Sequence, residues 1–221
     1  MAAGLRVKND YGTFQINDTF PNFVLHSKQT VTPAQTSDQN IGLSELSVPA
    51  GAITAIRSTT PTCHLRASGT KLQLVQRPNL SGLGPVEVYI FHRQPNAPIS
   101  GAGLRIRNAQ GIIAFDSNYG PLKIIDVING EGTFALPSSN VALIPVYQAK
   151  DTVDAWFGAQ PNVYRGIGSQ YAYTKFNGAQ VEIGRTSLWA YYKSESANPN
   201  FPSMNGQYNN SQYLVVDTVG L

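Results

Sequence analysis

Sliding the chain against itself by 99 positions sets GLRVKNDYGTFQINDTFPNF, which begins at Gly4, against GLRIRNAQGIIAFDSNYGPL, which begins at Gly103. Gly4, Leu5, Arg6, Asn9 and Gly12 recur unchanged as Gly103, Leu104, Arg105, Asn108 and Gly111. Conservative exchanges fill much of the remainder: Val7 for Ile106, Lys8 for Arg107, Ile16 for Phe115, Asn17 for Asp116 and Phe20 for Tyr119. Such a repeat constrains the fold before any other feature, because the element one copy builds the other builds too.

The shared stretch reads as a β-hairpin. Leu5 and Val7, like Leu104 and Ile106, fall on one face of a strand, with Arg6 and Arg105 on the other. Asn9 and Gly12, or Asn108 and Gly111, bracket the turn: Asn bonds its own backbone and Gly takes positive φ at no steric cost. Phe14 and Ile16, or Ile113 and Phe115, then begin the return strand.

Beyond the hairpin the copies diverge, but a near-equal offset sets VEVYIFHRQ at 86–94 against TSLWAYYKS at 186–194, both late strands of alternating apolar residues. The repeat unit is therefore read as a whole domain. Residues 1–97 form the first β-sandwich repeat, 98–194 the second, and 195–221 an extended C-terminal arm, with QPNAPISGAG at 94–103 as linker.

Other strands are expected at 23–29, 52–57, 71–76 and 86–93, then at 122–128, 141–146, 170–176, 179–183 and 186–192. Short strands punctuated by 20 Gly and 14 Pro mark an all-β sandwich or barrel. One stretch carries a helical spacing, with Val146, Val153, Trp156 and Phe157 on one face, but the β reading of its surroundings outweighs it.

The arm opens with ESANPNFPSMNGQYNNSQ, too polar and Pro-interrupted for core, and ends in YLVVDTVGL. Tyr213, Leu214, Val215, Val216 and Val219 are too apolar to stay exposed, so this strand needs an edge, its own or a neighbour's. With both repeats counted complete without it, a neighbour's edge is the expected one, and the arm an assembly arm.

Composition narrows function. A hydrophobic share of 42% excludes intrinsic disorder. Charged residues reach only 13%, against roughly 25% in an average soluble domain, and 17 Asn with 14 Gln supply the polarity instead. The net charge of +3 comes from scattered basic residues without the clustering that nucleic acid demands. Cys63, the single cysteine, excludes an intrachain disulfide and reads as a small buried hydrophobe made in a reducing compartment. No apolar stretch approaches a membrane span, the opening MAAGLRVKND lacks a signal-peptide core, and the Asn17, Asn79 and Asn209 sequons read as chance.

Chemistry finds little footing. His26, His64 and His92 lie far apart in different strands, so no metal or cofactor is expected. Asp151, Asp154 and Glu182 are the nearest approach to a carboxylate cluster and read as solvated surface. No GxSxG elbow, phosphate loop or HExxH is present, and no catalytic residue is assigned. Trp189, opposite Tyr89 across the repeat, is placed in the core. Tyr171, Tyr173 and Lys175 alternate with Ala172 and Thr174 and so form the expected partner or glycan surface.

The paired motif GLRVKNDYG and GLRIRNAQGIIAFDS resembles the opening of a family of small tail proteins of tailed bacteriophages, which begin with GL-x-V-x-N-x-x-G and a following Asp-Ser. The likeness covers about 20 residues of each half; the first copy departs from it, with Asn17-Asp18 where the second has Asp116-Ser117. The resemblance implies a structural virion protein of the tail tip, baseplate or fibre attachment, made in the bacterial cytoplasm. Its partners would be other tail proteins and copies of itself. The alternative is a carbohydrate-binding or host-receptor module that contacts a surface glycan.

Overall fold

The computed structural model describes residues 7–8, 14–16, 22–36, 41–78, 82–93, 103–107, 111, 113–148, 150–157, 164–193 and 210–221. Among these every element is a β-strand, and paired strands run antiparallel. Two sheets form the body. One runs β12 (Ile124–Asn129), β18 (Gln212–Asp217), β14 (Val141–Tyr147), β6 (Ile53–Ser58), β9 (Val86–His92) and β3 (Val24–Val31). The other runs β13 (Gly132–Ala135), β17 (Gln180–Lys193), β16 (Tyr164–Asn177), β7 (Thr62–Ser68), β8 (Lys71–Gln76), β5 (Gly42–Ser47) and β4 (Ala34–Gln35), with β15 (Lys150–Phe157) paired to β16. Two hairpins stand apart, β1 (Val7–Lys8) with β2 (Phe14–Ile16) and β10 (Arg105–Arg107) with β11 (Ile113–Asp116).

Period-two alternation builds the interior. In β9, Val86, Val88 and Ile90 pack with Ile56, Leu72 and Leu74 between the sheets. The intervening Tyr89 and Phe91 join Ala55, Ala142 and Val216 on the outer face of the six-stranded sheet, where Phe23, Leu122 and Leu221 lie against them. In the second half Leu143, Tyr213 and Val215 meet Phe176, Val181 and Ile183 across the interior. Strands β9 and β14 are thus apolar on both faces because both faces are covered. Each fully buried Val or Phe contributes roughly 1.5–3 kcal/mol of transfer free energy.

Both sheets cross the boundary expected near residue 98. Read from the rim inward, the first half supplies β3, β9 and β6 to one sheet and, to the other, β5, β8 and β7 inside the two-residue β4; the second supplies β12, β18 and β14, then β13, β17 and β16. The halves meet at Ile56 with Leu143, at Thr62 with Thr174, and where the Leu122 N–H donates to the Phe23 carbonyl at 2.8 Å.

The terminal strand corrects one expectation. β18 takes its backbone hydrogen bonds from the chain's own β12 and β14 on either side, where a neighbour's edge had been expected. Tyr213, Val215 and Val216 are buried and Leu214 partly so, while Val219 is exposed. The physical reason is position: without β18 the second half would leave a gap between β12 and β14. Residues 195–209 of the arm lie outside the described residues.

The stretch with helical spacing is strand, Val146 in β14 and Val153, Trp156 and Phe157 in β15, which pairs along its length with β16, in keeping with the β reading of its surroundings. Two local expectations also shift. The segments read as separate strands at 179–183 and 186–192 are one, β17. In the second hairpin Ile106 is buried as expected, but Leu104 precedes β10 and is exposed. Gly111 there has φ 77°, which its turn requires, and its carbonyl accepts from Arg107 Nη1 at 2.6 Å. Gly12 lies outside the described residues.

Candidate functional site

Alternation along β16 sends Ala172, Thr174 and Phe176 into the interior and brings Tyr171, Tyr173 and Lys175 together on the outer face of the eight-stranded sheet. Both tyrosines are half-buried, packed on a cluster of Ile41, Cys63 and Val75 with Leu43 and Leu65. The Tyr173 hydroxyl donates to Glu182 Oε1 at 2.6 Å, and Lys175 Nζ lies 4.0 Å from the other carboxylate oxygen. Burial, then the Glu182 carboxylate, pushes the Tyr173 phenol up to about 12. Gly184, opposite Tyr173 in the register, is what lets the ring lie flat, since a Cβ there would stand 2.6 Å from the phenol oxygen. This face is therefore part surface and part packing. Trp189 is in β17 opposite Gly168 in β16.

The other candidates disperse. Asp151 and Asp154 sit three residues apart in β15, opposite Gln170 and Ile167, and Glu182 pairs in register with Lys175. His26 and His92 do approach, with ring centroids 6.0 Å apart at a steep angle; burial first and His92 second lower the His26 pKa. His64 is elsewhere, inside the sandwich. Among the described residues no three His, Cys, Asp or Glu side chains gather as metal ligands. Cys63 is buried and its thiol is pushed up to about 12 by desolvation, which disfavours the nucleophilic thiolate. No helix among the described residues is long and apolar enough to cross a membrane.

A feature that the sequence did not disclose lies on the seam between the halves. β6 and β14 share the register pair Ile56–Leu143, and a recess opens at either end of it. At one end Arg57 lies over the Phe176 ring, 4.9 Å from its centroid, and Nη1 donates to the Val141 carbonyl at 3.0 Å. The recess left there, about 250 Å³, is polar, with Lys28, Glu87 and Asn140 in its walls. At the other end the cavity is about 400 Å³ and walled by Ile53, Leu122, Ile124, Ile144, Val146 and Leu214. Thr54, His64 and Gln148 supply its polar atoms, with Thr54 Oγ1 and His64 Nε2 2.8 Å apart. Gln148 Nε2 is buried without a hydrogen bond of ordinary geometry. His64 alternates with the apolar Cys63 and Leu65 in β7, a pattern that by sequence alone points the histidine outward; that it is buried and floors a recess depends on β14, which no local signal joins to it.

Set against known proteins, the chain matches no family model, no curated protein and no solved structure.

Proposed function

We propose that the protein is a structural component of a bacteriophage tail, one β unit written twice, which acts through protein–protein contacts and carries no catalytic centre. The observation that carries this reading is the repeated GLR hairpin with its likeness to phage tail proteins. The strand order supports the duplication. Taken along the chain, β3, β5, β6, β7, β8 and β9 occupy the positions that β12, β13, β14, β16, β17 and β18 occupy in mirror order, and each series follows its own GLR hairpin. On this reading β18 completes the second unit, and residues 194–211 connect it to β17.

A duplicated unit offers two near-equivalent faces to its neighbours, which suits a place between tail parts of unlike symmetry; this step is analogy at the level of fold. The reading predicts that mass spectrometry of particles from the encoding phage finds the chain in the tail fraction, in contact with other tail proteins or copies of itself. Its absence from intact particles would overturn the assignment. Alanine at Asp151, Asp154 or Glu182 should leave assembly intact, and polysaccharide cleavage lost in one of these variants would reveal an enzyme instead. Glycan-array binding abolished by Tyr171→Ala would make the protein a host-receptor module.

A further inference from the structure

The two ends of the β6–β14 seam are built from matching positions. One step along the chain from the Ile56–Leu143 pair sets Arg57 against Ile144, and two steps from the Thr62–Thr174 pair set His64 against Phe176. At the first end a flat side chain, the Arg57 guanidinium, lies on the Phe176 ring and closes the recess to the interior. At the second end Ile144 takes the place of that arginine and is too short and unbranched at its tip to cover the floor. The floor ring is His64, 4% exposed, and the space above it is the cavity of about 400 Å³.

That space has the make-up of a specific pocket, apolar walls with a few polar atoms at fixed points, and it lies within the usual range of ~300–1,000 Å³. Among the described residues that line it, His64 is the one titratable side chain, so a charged occupant would lose hydration there without a counter-charge. Thr54 and Gln148 at the floor give one hydrogen-bonding group of the occupant a partner, since Gln148 Nε2, which approaches the Tyr213 hydroxyl, makes no hydrogen bond of ordinary geometry. At the mouth Ile124 is 49% and Val146 42% exposed, with Tyr147 beside them at 65%. Ile124 belongs to β12, the outermost strand of its sheet among the described residues, and none of these pairs its outer edge, where an added strand could lie.

We infer that this slot receives a tyrosine side chain presented by an extended segment of a neighbouring protein laid along β12. The twin slot carries the argument for a side chain, since the protein fills that equivalent position with a flat group stacked on a ring. The neutral lining selects an aromatic ring over arginine, and the Gln148 N–H at the floor selects a ring that carries an acceptor, as the tyrosine hydroxyl does. The inference rests on the protein–protein reading above and specifies where one such contact is made.

The test uses the full chain and three probes: p-cresol, an acetylated and amidated Ala-Ala-Tyr-Ala-Ala peptide, and the same peptide with Phe in place of Tyr. Two-dimensional NMR titration should show saturable shifts at the His64 and Gln148 side chains for p-cresol, tighter binding of the Tyr peptide, and weaker binding of the Phe peptide by roughly tenfold. Ile144→Arg, which recreates the plug of the other slot, should weaken the Tyr peptide by at least about tenfold. Should that variant not fold, Val146→Trp at the exposed rim serves as the block. Equal binding by the blocked and native chains, or no shift with any probe, overturns the slot. Binding of p-cresol without a gain for the Tyr peptide overturns a protein occupant and leaves a small-molecule site. Peptide binding by a chain that is absent from phage particles would refute the tail assignment while leaving the slot standing.

Discussion

The two halves fill the same strand positions with different material. Between the sheets the first half packs Val48, Ala52, Ile56, Leu72, Leu74, Val86, Val88 and Ile90, all aliphatic. The second brings Phe176 and Tyr213 to its interior, beside Val141, Leu143, Val181, Ile183 and Val215. The first half closes the β7–β8 hairpin after strands of seven and six residues, whereas β16 and β17 run to fourteen each and carry β15 alongside. Phe176, Val181 and Ile183 all lie near the turn of that long hairpin, so the added length extends beyond the part that builds the core. Alternation and strand order are thus what the halves share; side-chain identity and strand length are free to drift, since volume and pattern suffice to fill an interior.

The largest effect expected from breaking this correspondence is at β18. A chain ending at Ser211 loses Tyr213, Val215 and Val216 and leaves β12 and β14 unpaired on their facing edges. The loss should exceed the ~5–15 kcal/mol that commonly holds a domain together, and circular dichroism should show no cooperative melting of the second half. Normal melting of that truncated chain would mean that β18 is an accessory strand and the matched strand order a coincidence. Next in size are Ile56→Ala and Leu143→Ala, the paired residues on the seam, each fully buried in its own half's core. Each should cost ~2–5 kcal/mol in urea denaturation. Costs that differ by more than about 2 kcal/mol would show that the two sides of the seam are not equivalent.

The hairpin was legible because a turn restricts residue type. Asn, Gly and Arg stay recognisable at a 99-residue offset, while strands only need to alternate. Alternation also disclosed β3, β6, β8, β9, β12 and β14 near their observed bounds, and placed Tyr171, Tyr173 and Lys175 on one face. It did not disclose β5, whose GLSELS is mostly polar, nor β15 as strand. The matching of 86–94 with 186–194 assumed a steady offset. The residues paired across the seam are 87 apart at Ile56 and Leu143 and 112 apart at Thr62 and Thr174, with β15 lying between Leu143 and Thr174. The counterpart of β9 in strand order is β18, and that of β8 is β17. The slot over His64 draws on β6, β7, β12, β14 and β18 at once, and no local pattern reports such a convergence.

A smaller effect sharpens the hairpin comparison. Gly111 sits at φ 77° with open space where a Cβ would go, so strain alone penalises a side chain there. Gly111→Val should destabilise the second hairpin by about 1–3 kcal/mol, read as loss of amide protection at Ile106 and Phe115 in hydrogen exchange. If Gly12→Val, at the matching place in the first copy, had no such effect on Val7 and Ile16, the two turns would differ in geometry despite their shared sequence.

The smallest effect concerns one of the positions at which the hairpins differ in charge, Asn17 in the first and Asp116 in the second. Asp116 is buried, accepts the Asn118 backbone N–H at 3.0 Å and pairs with Arg105 at 2.6 Å. The Asn118 N–H first, and Arg105 after it, hold its carboxyl below the ordinary value of 3.8. A folded-state carboxyl that binds its proton less readily than the unfolded one adds stability that is complete above about 3.8 and is lost as pH falls through the lowered folded value. Asp116→Asn gives the second hairpin the residue of the first, so its protection against exchange should lose this acid-side dependence while staying level above pH 5. The neutral amide still accepts the Asn118 N–H but no longer attracts Arg105, so some protection should also be lost at neutral pH. An unchanged acid limb in the variant would show that Asp217, whose carboxyl is likewise lowered by Lys123 and the Val219 N–H, governs the acid response instead. The difference between the hairpins would then be one of sequence alone.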